Sequence, residues 1–277
     1  MEIVCHVITK LELGGAQEVA LYAVSHLDRS KFRPLLVTGP GGLLTGEAKA
    51  LPGVDVHVLT SLARRVHILA DIAAFLELMR LFRRLRPGIV HTHSSKAGIL
   101  GRWAAWCASV PVIIHTIHGY GITPAQPSWL RRGLILLERM TGRITTHWIA
   151  VAQADVKKGI EWGLFDRTQV SVVRPGIDPL PFQTMLDTST RHALRASFGV
   201  GPDDFLVGTV ACLKPQKAPE DFVAVAKQVC DVVPEARFVL VGDGDLRQRI
   251  ESLIEVNGLD KRLHLAGWRR DISTVMK

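Results

Sequence analysis

Two histidine runs dominate the residues that could do chemistry. His91-Thr92-His93 leads into Ser94-Ser95-Lys96-Ala97-Gly98, and His115-Thr116-Ile117-His118 leads into Gly119. An imidazole titrates near neutral pH, donates or accepts a hydrogen bond, and can ligate a metal. For His91 and His115 a hydrogen-bonded packing role is the simpler reading. His93 and His118, beside Ser/Lys and Gly-rich turns, are the candidates for ligand contact, with Ser95 and Lys96 next to them. No zinc site is expected, because His-x-His on one strand gives a common face without a third ligand at diagnostic spacing.

Three further runs could hold an anion. Gly14-Gly15 falls where a strand hands over to a helix, so the backbone can approach a ligand and the first N–H groups of the helix favour negative charge. The run is not the GxGxxG of a dinucleotide site, and a tight turn explains it equally well. Lys214-Pro215-Gln216-Lys217 precedes a helix, and two ammonium groups beside a helix N-terminus suit a diphosphate. The run Gly242-Asp243-Gly244-Asp245 contains Asp-x-Asp, a pattern that can bind Mg²⁺. These aspartates flank a turn glycine, so Asp245 is expected to cap the next helix rather than bind metal.

All of these runs lie at the ends of predicted strands. Short β-branched runs at 3–9, 34–38, 54–59, 89–92, 112–116, 148–151 and 170–174 alternate with amphipathic stretches at 16–26, 68–86, 95–109, 128–142 and 153–162. Continuous apolar strands separated by helices predict α/β architecture with a parallel, doubly wound sheet, whose ligands bind outside the carboxyl ends of the strands. Pro175, Gly176, Pro179 and Pro181 then mark a boundary. A second series follows, with strands at 206–211, 237–241 and 262–266 and helices at 220–232 and 246–256. Three strands are few for an open parallel sheet, so the second domain reads as incomplete. The expected division is a first Rossmann-like domain over 1–175, a linker over 176–200 and a partial second domain over 201–277.

Composition agrees with a folded protein: 47% of residues are apolar and 22% charged. The four cysteines show no CxxC pair, which argues for a reducing cytosol. No signal peptide is read at the start, and the most apolar stretch, 99–114, is broken by Arg102 and Pro111 before it reaches the roughly 18 apolar residues a membrane span needs. The net charge of +8 is carried by the first part of the chain, where Arg80, Arg83, Arg84 and Arg86 crowd the end of one helix. That cluster opposes the helix dipole, and it could also hold the protein peripherally on an anionic membrane. Nucleic acid is disfavoured, because aromatic and basic residues are not interleaved.

Taken together the runs resemble the retaining, GT-B-fold glycosyltransferases often called family 4. The matching segments are, in family order, Gly14-Gly15, His91 to Gly98, His118-Gly119, Val173 to Asp178, Leu213 to Lys217, Val241 to Gly244 and Gly267 to Asp271. The resemblance implies two Rossmann-like domains with a cleft between them, and sugar transfer from a nucleoside-diphosphate sugar to a glycan or lipid-linked acceptor in polysaccharide or cell-envelope synthesis. It implies that His118 contacts the transferred sugar and that Gly14 and Gly15 face the donor phosphates or acceptor. Lys214 and Lys217 would meet the diphosphate, and Gly242, Asp243, Gly244, Trp268 and Arg269 would lie near the nucleoside. His93, Ser95 and Lys96 would lie on the acceptor side. No metal or other cofactor is expected in such a fold, because protein cations neutralise the leaving diphosphate.

Two departures stand out. Cys212 occupies the place where the family usually has an arginine beside the phosphate-loop lysine. The family's paired glutamates would follow Asp271, beyond Lys277, so the chain is expected to be a truncated member with little activity alone. Two competing expectations are an inactive homologue that still binds acceptor or membrane, and a nucleotide-sugar epimerase of GT-B shape.

Overall fold

A computed structural model describes residues 1–277. The chain divides into two compact units, Met1–Gly176 and Ile177–Lys277. In the first, strands β1 (Glu2–Ile8), β2 (Phe32–Thr38), β3 (Asp55–Val58), β4 (Ile89–His93), β5 (Val112–Ile117), β6 (His147–Ala150) and β7 (Val170–Val172) alternate with helices α1 (Gly15–Ser25), α2 (Thr45–Ala50), α3 (Ile68–Leu85), α4 (Ser95–Cys107), α5 (Ser128–Gly142) and α6 (Gln153–Glu161). The strands form one sheet in the order β3-β2-β1-β4-β5-β6-β7, and every pairing is parallel.

Helices cover both faces of this sheet, which is why its strands read as unbroken apolar runs: Val4 to Ile8 are all buried. One face packs Cys5, Val7, Val37, Val90 and Ile113 against Leu78 and Phe82 of α3 and Ala104 of α4. The other packs Ile8 and Leu36 against Ala20, Leu21 and Val24 of α1. Burying each such Leu, Val or Phe stabilises the fold by about 1.5–3 kcal/mol. Arg102 of α4, read from sequence as an interruption, is fully buried. Its guanidinium donates to Glu138 Oε2 at 2.7 Å, Thr145 Oγ1 and Gly98 O, and lies over the Trp148 ring.

The second unit begins with α7 (Leu180–Gln183) and α8 (Thr188–Ser197) and continues β8 (Phe205–Val210), α9 (Pro219–Val232), β9 (Ala236–Val241), α10 (Arg247–Val256), β10 (Leu263–Gly267) and α11 (Ile272–Val275). Its three parallel strands run in the order β10-β9-β8. The expected linker over 176–200 is narrower than its proline content implied. Residues 188–200 belong to the second unit, with Phe198 and Val200 buried against Val239 and Val241, and Asp187 caps α8 through Thr190 N. No helix is long and apolar enough to cross a membrane.

Candidate functional site

In the first unit, the parallel register places the ends of three neighbouring strands, β1, β4 and β5, side by side. Gly14-Gly15 follows the first, Ser94 to Lys96 the second and His118-Gly119 the third, so the sequence candidates meet along one edge. A Cβ built on Gly15 meets nothing within 4 Å, which leaves open space beside the start of α1. Ser94 takes a positive φ of 63°, a strained value for a residue with a Cβ. Thr9 holds it there: Thr9 Oγ1 lies 2.8 Å from Ser94 Oγ and accepts from Ala97 N at 3.1 Å, which caps α4 from the residue just past β1. Gly98 is the packing partner of His115, for a Cβ there would fall 2.5 Å from the imidazole.

The histidines form a connected set. His118 is half-buried, with its Nε2 3.0 Å from His93 Nδ1. His93 Nε2 in turn lies 3.1 Å from Nδ1 of His6, a residue of β1 that was not a sequence candidate. His91 bonds Thr116 at 2.6 Å and His115 bonds Thr92 at 2.8 Å, so these two have the packing roles expected of them. Burial pushes His6 and His118 down to about 4, and it holds His91, His93 and His115 well below the ordinary histidine range. All five are neutral at pH 7.

Two acceptor-side expectations change. His93 is buried, with 1% of its surface exposed, and both ring nitrogens face other imidazoles, so it stands behind His118 rather than at the surface. Lys96 is occupied: Nζ donates to Ala63 O at 2.7 Å and Arg65 O at 2.6 Å and pairs with Asp71, tying the loop before α3 to the start of α4. Ser95 is exposed. The argument against a third metal ligand also fails, because His6 joins His91 and His93 with ring nitrogens within 4.8 Å of one another. These three could hold a metal ion. The strand order that brings them together cannot be read from spacing.

In the second unit the three sequence runs also converge at the strand ends. Leu213 N donates to Asp243 O and Leu246 N to Leu213 O, while Gly242 N donates to Gly267 O at 2.8 Å, lacing the loops after β8, β9 and β10 together. The glycines serve that lacing. Gly242 has φ 141°, and a Cβ on it would lie 2.0 Å from Ala211 O. Lys214 is half-buried and Lys217 exposed, at the one-turn helix Pro215–Lys217 just before α9. Neither forms an ion pair, whereas nearby Glu220 is turned to Arg249. Trp268 is exposed, and Arg269 bonds Asp271 and lies 5.4 Å over the Phe198 ring.

Asp245 does not cap the following helix. It is exposed, Leu246 occupies the N-cap position, and Asp243 takes the local hydrogen bonds instead: Oδ1 accepts from Gly244 N at 2.7 Å, and Oδ2 pairs with Arg247 at 2.9 Å. A carboxylate two residues past the strand end reaches the turn amide more directly than one four residues past it.

Comparison with known proteins gives the family of each part of the chain. The family model described as Glycosyltransferase Family 4 matches residues 13–179, and that of Glycosyl transferases group 1 matches residues 190–277. The UDP-Gal:alpha-D-GlcNAc-diphosphoundecaprenol alpha-1,3-galactosyltransferase of Escherichia coli is 30% identical over 99% of this chain and 70% of its own. Among solved structures, Anabaena Alr3699/HepE in complex with UDP and glucose superposes with a TM-score of 0.83 at 20% identity, over 100% of this chain and 72% of that one. WaaG, a glycosyltransferase involved in lipopolysaccharide biosynthesis, superposes with a TM-score of 0.75 at 14% identity, over 99% of this chain and 72% of that one.

Proposed function

Because the chain belongs to glycosyltransferase family 4 and has the GT-B fold, we propose that it moves a sugar from a nucleoside diphosphate onto a glycan carried by a polyprenyl diphosphate in the cell envelope. Glycosyl transfer from a nucleotide sugar is the reaction class. The acceptor rests on one observation, the 30% identity over nearly the whole chain with an enzyme whose acceptor is GlcNAc-diphosphoundecaprenol.

The side chains divide the work by charge. In the second unit, Lys217 and Lys214 are unpaired cations and meet the departing diphosphate, with the N-terminal end of α9 adding its dipole. A metal-free leaving group is favoured because Asp243 is already committed to Arg247. Trp268 and the Gly242–Gly244 turn lie with these lysines at the strand ends and contact the nucleoside. In the first unit, His118 is a neutral hydrogen-bonding group for a sugar hydroxyl, so it orients the sugar without adding positive charge beside an oxocarbenium-like centre. Retention of anomeric configuration is what the resemblance to the retaining family implies for this transfer. Gly15 leaves the backbone open to the acceptor or the phosphates.

A lipid-linked acceptor must be met at a membrane. The exposed arginines 80, 83, 84 and 86 lie at the end of α3 that leads into the start of β4, opposite the histidines, and 18 residues make the helix about 27 Å long. At its other end Val66, Ile68 and Leu69 are 83%, 74% and 74% exposed behind Arg64 and Arg65. Trp129, 75% exposed beside Arg131 and Arg132, opens α5 at the same edge. Apolar side chains among arginines suit an anionic bilayer, so the peripheral contact belongs at this edge rather than at Arg80–Arg86.

The test supplies tritiated nucleotide sugars, UDP-galactose first, with a synthetic GlcNAc-diphosphopolyprenol in anionic vesicles and EDTA. Labelled lipid-linked disaccharide is expected. Vesicle binding without product from any donor would favour an inactive homologue, and an epimerised free nucleotide sugar would favour an epimerase.

A further inference from the structure

Behind the histidine assigned to the sugar stand two more, and the hydrogen bonds that join them have a direction. We propose that His6 and His93 are positioning residues, a relay of imidazoles that fixes His118 in the tautomer protonated on Nδ1. The catalytic part of this inference rests on the role given to His118 above; the relay itself does not.

The direction follows from one orphaned atom. His6 Nε2 is buried and has no hydrogen-bond partner, whereas His6 Nδ1 lies 3.1 Å from His93 Nε2. A proton on Nε2 would be a buried N–H without an acceptor, which costs about 1–3 kcal/mol, so the proton of neutral His6 sits on Nδ1 and is donated to His93. His93 accepts through Nε2, and being neutral it carries its own proton on Nδ1, 3.0 Å from His118 Nε2. His118 Nε2 therefore accepts, and the ring of neutral His118 is protonated on Nδ1. Three tautomers are set by one atom that has nothing to bond. The rings of His6 and His93 lie 12° from parallel with centroids 5.4 Å apart, end to end as an in-plane N–H···N hydrogen bond requires. The outcome is a defined donor on His118 where a lone imidazole would interchange its N–H and its lone pair.

The same rings could instead be holding zinc, since two nitrogens bound to one zinc ion also lie about 3 Å apart at the usual bond lengths. Two features favour the relay. His93 uses both nitrogens toward imidazoles, and His91 directs Nε2 to Thr116 rather than toward the His6–His93 pair.

The test is long-range ¹⁵N–¹H correlation of the full chain labelled at histidine, at pH 7, with metal content measured on the same sample. Wild type is expected to show His118 protonated on Nδ1. His6→Leu removes the donor and should release His118 to a mixture of tautomers, with kcat falling about 10–100-fold and the donor KM unchanged within twofold. His6→Asn keeps an N–H near the position of Nδ1 and should restore both. His118 protonated on Nε2 in the wild type, or an unchanged tautomer in His6→Leu, overturns the relay. One equivalent of zinc, lost in His6→Leu, overturns it in favour of a metal site. If the tautomers behave as stated but His118→Ala transfers sugar at the wild-type rate, the relay stands and the role given to His118 fails.

Discussion

In the first unit the groups at the strand ends are five imidazoles, buried or half-buried, neutral and bonded to one another or to threonines. In the second they are two lysines without ion pairs, one of them exposed, on loops whose own backbone hydrogen bonds hold them together. A neutral donor is useful only when its direction is fixed, so it is built into the sheet and supported from behind. A cation acts over a longer range and tolerates motion, so it can ride on a loop. The difference teaches where each unit is vulnerable: the first to anything that charges or unpacks its interior, the second to loss of charge at its surface.

Acid should separate the two most strongly. A histidine held below its ordinary 6.5 leaves the unfolded chain binding the extra proton, so stability is flat above about pH 6.5 and falls as pH drops toward the folded value of about 4 for His6 and His118. Each such group contributes at most about 1.4 kcal/mol per pH unit. His91, His93 and His115 shift in the same direction, whereas in the second unit His264 is the one histidine lowered. Hydrogen exchange resolved by residue at pH 7 and pH 5 should show protection lost from β1, β4 and β5 while β9 keeps its own. Equal loss in both units would break the comparison.

Removing one partner of the buried ion pair should come next. Glu138→Leu leaves the guanidinium of Arg102 uncompensated in the interior, which costs about 3–5 kcal/mol. Urea unfolding should show that loss in the first unit alone. Arg102→Met combined with Glu138→Leu should recover much of it, because no buried charge is then left unpaired.

Activity should fall by a similar factor in each unit but in different constants. Lys217→Ala removes charge from the leaving diphosphate and should lower kcat/KM about 10²–10³-fold, mostly restored by Lys217→Arg. His118→Ala should lower kcat by a comparable factor with little change in donor KM. A pattern in which Lys217→Ala leaves kcat/KM unchanged would remove the phosphate role from the second unit.

The alternation of strands and helices was legible because each element carries its own period. The helix over 128–142 matches α5 end to end, and every strand core was placed within two residues or so of its bounds. Thr45–Ala50 escaped because six residues containing Gly46 are too short for a helical period to register. The candidate site was legible only where it sits on a turn. Gly14-Gly15, His118 and Lys217 announce themselves by falling at strand ends. His6 did not, for a polar residue inside the apolar run of β1 gains meaning only when β4 is laid beside it, and its partner His93 is 87 positions away. Lys96 misled for the same reason, since the carbonyls that occupy it belong to a loop more than 30 residues earlier.

The smallest expected effect compares the opening strands of the two units. Val7 of β1 is fully buried, with β2 on one side and β4 on the other, and Val207 of β8 is 44% exposed on a strand bonded only to β9. Val7→Thr places a hydroxyl among Cys5, Val37 and Val90 with no partner within the cluster, at a cost of about 1–3 kcal/mol. Val207→Thr leaves its hydroxyl in reach of water and keeps a β-branched side chain suited to a strand, so the change should stay within about 0.5 kcal/mol. Chemical denaturation of the two variants beside wild type measures both. A cost for Val207→Thr equal to that of Val7→Thr would mean that the open face of β8 is covered in solution, by a second copy or by another partner, and the contrast between a sheet buried on both faces and one exposed at its first strand would then be lost.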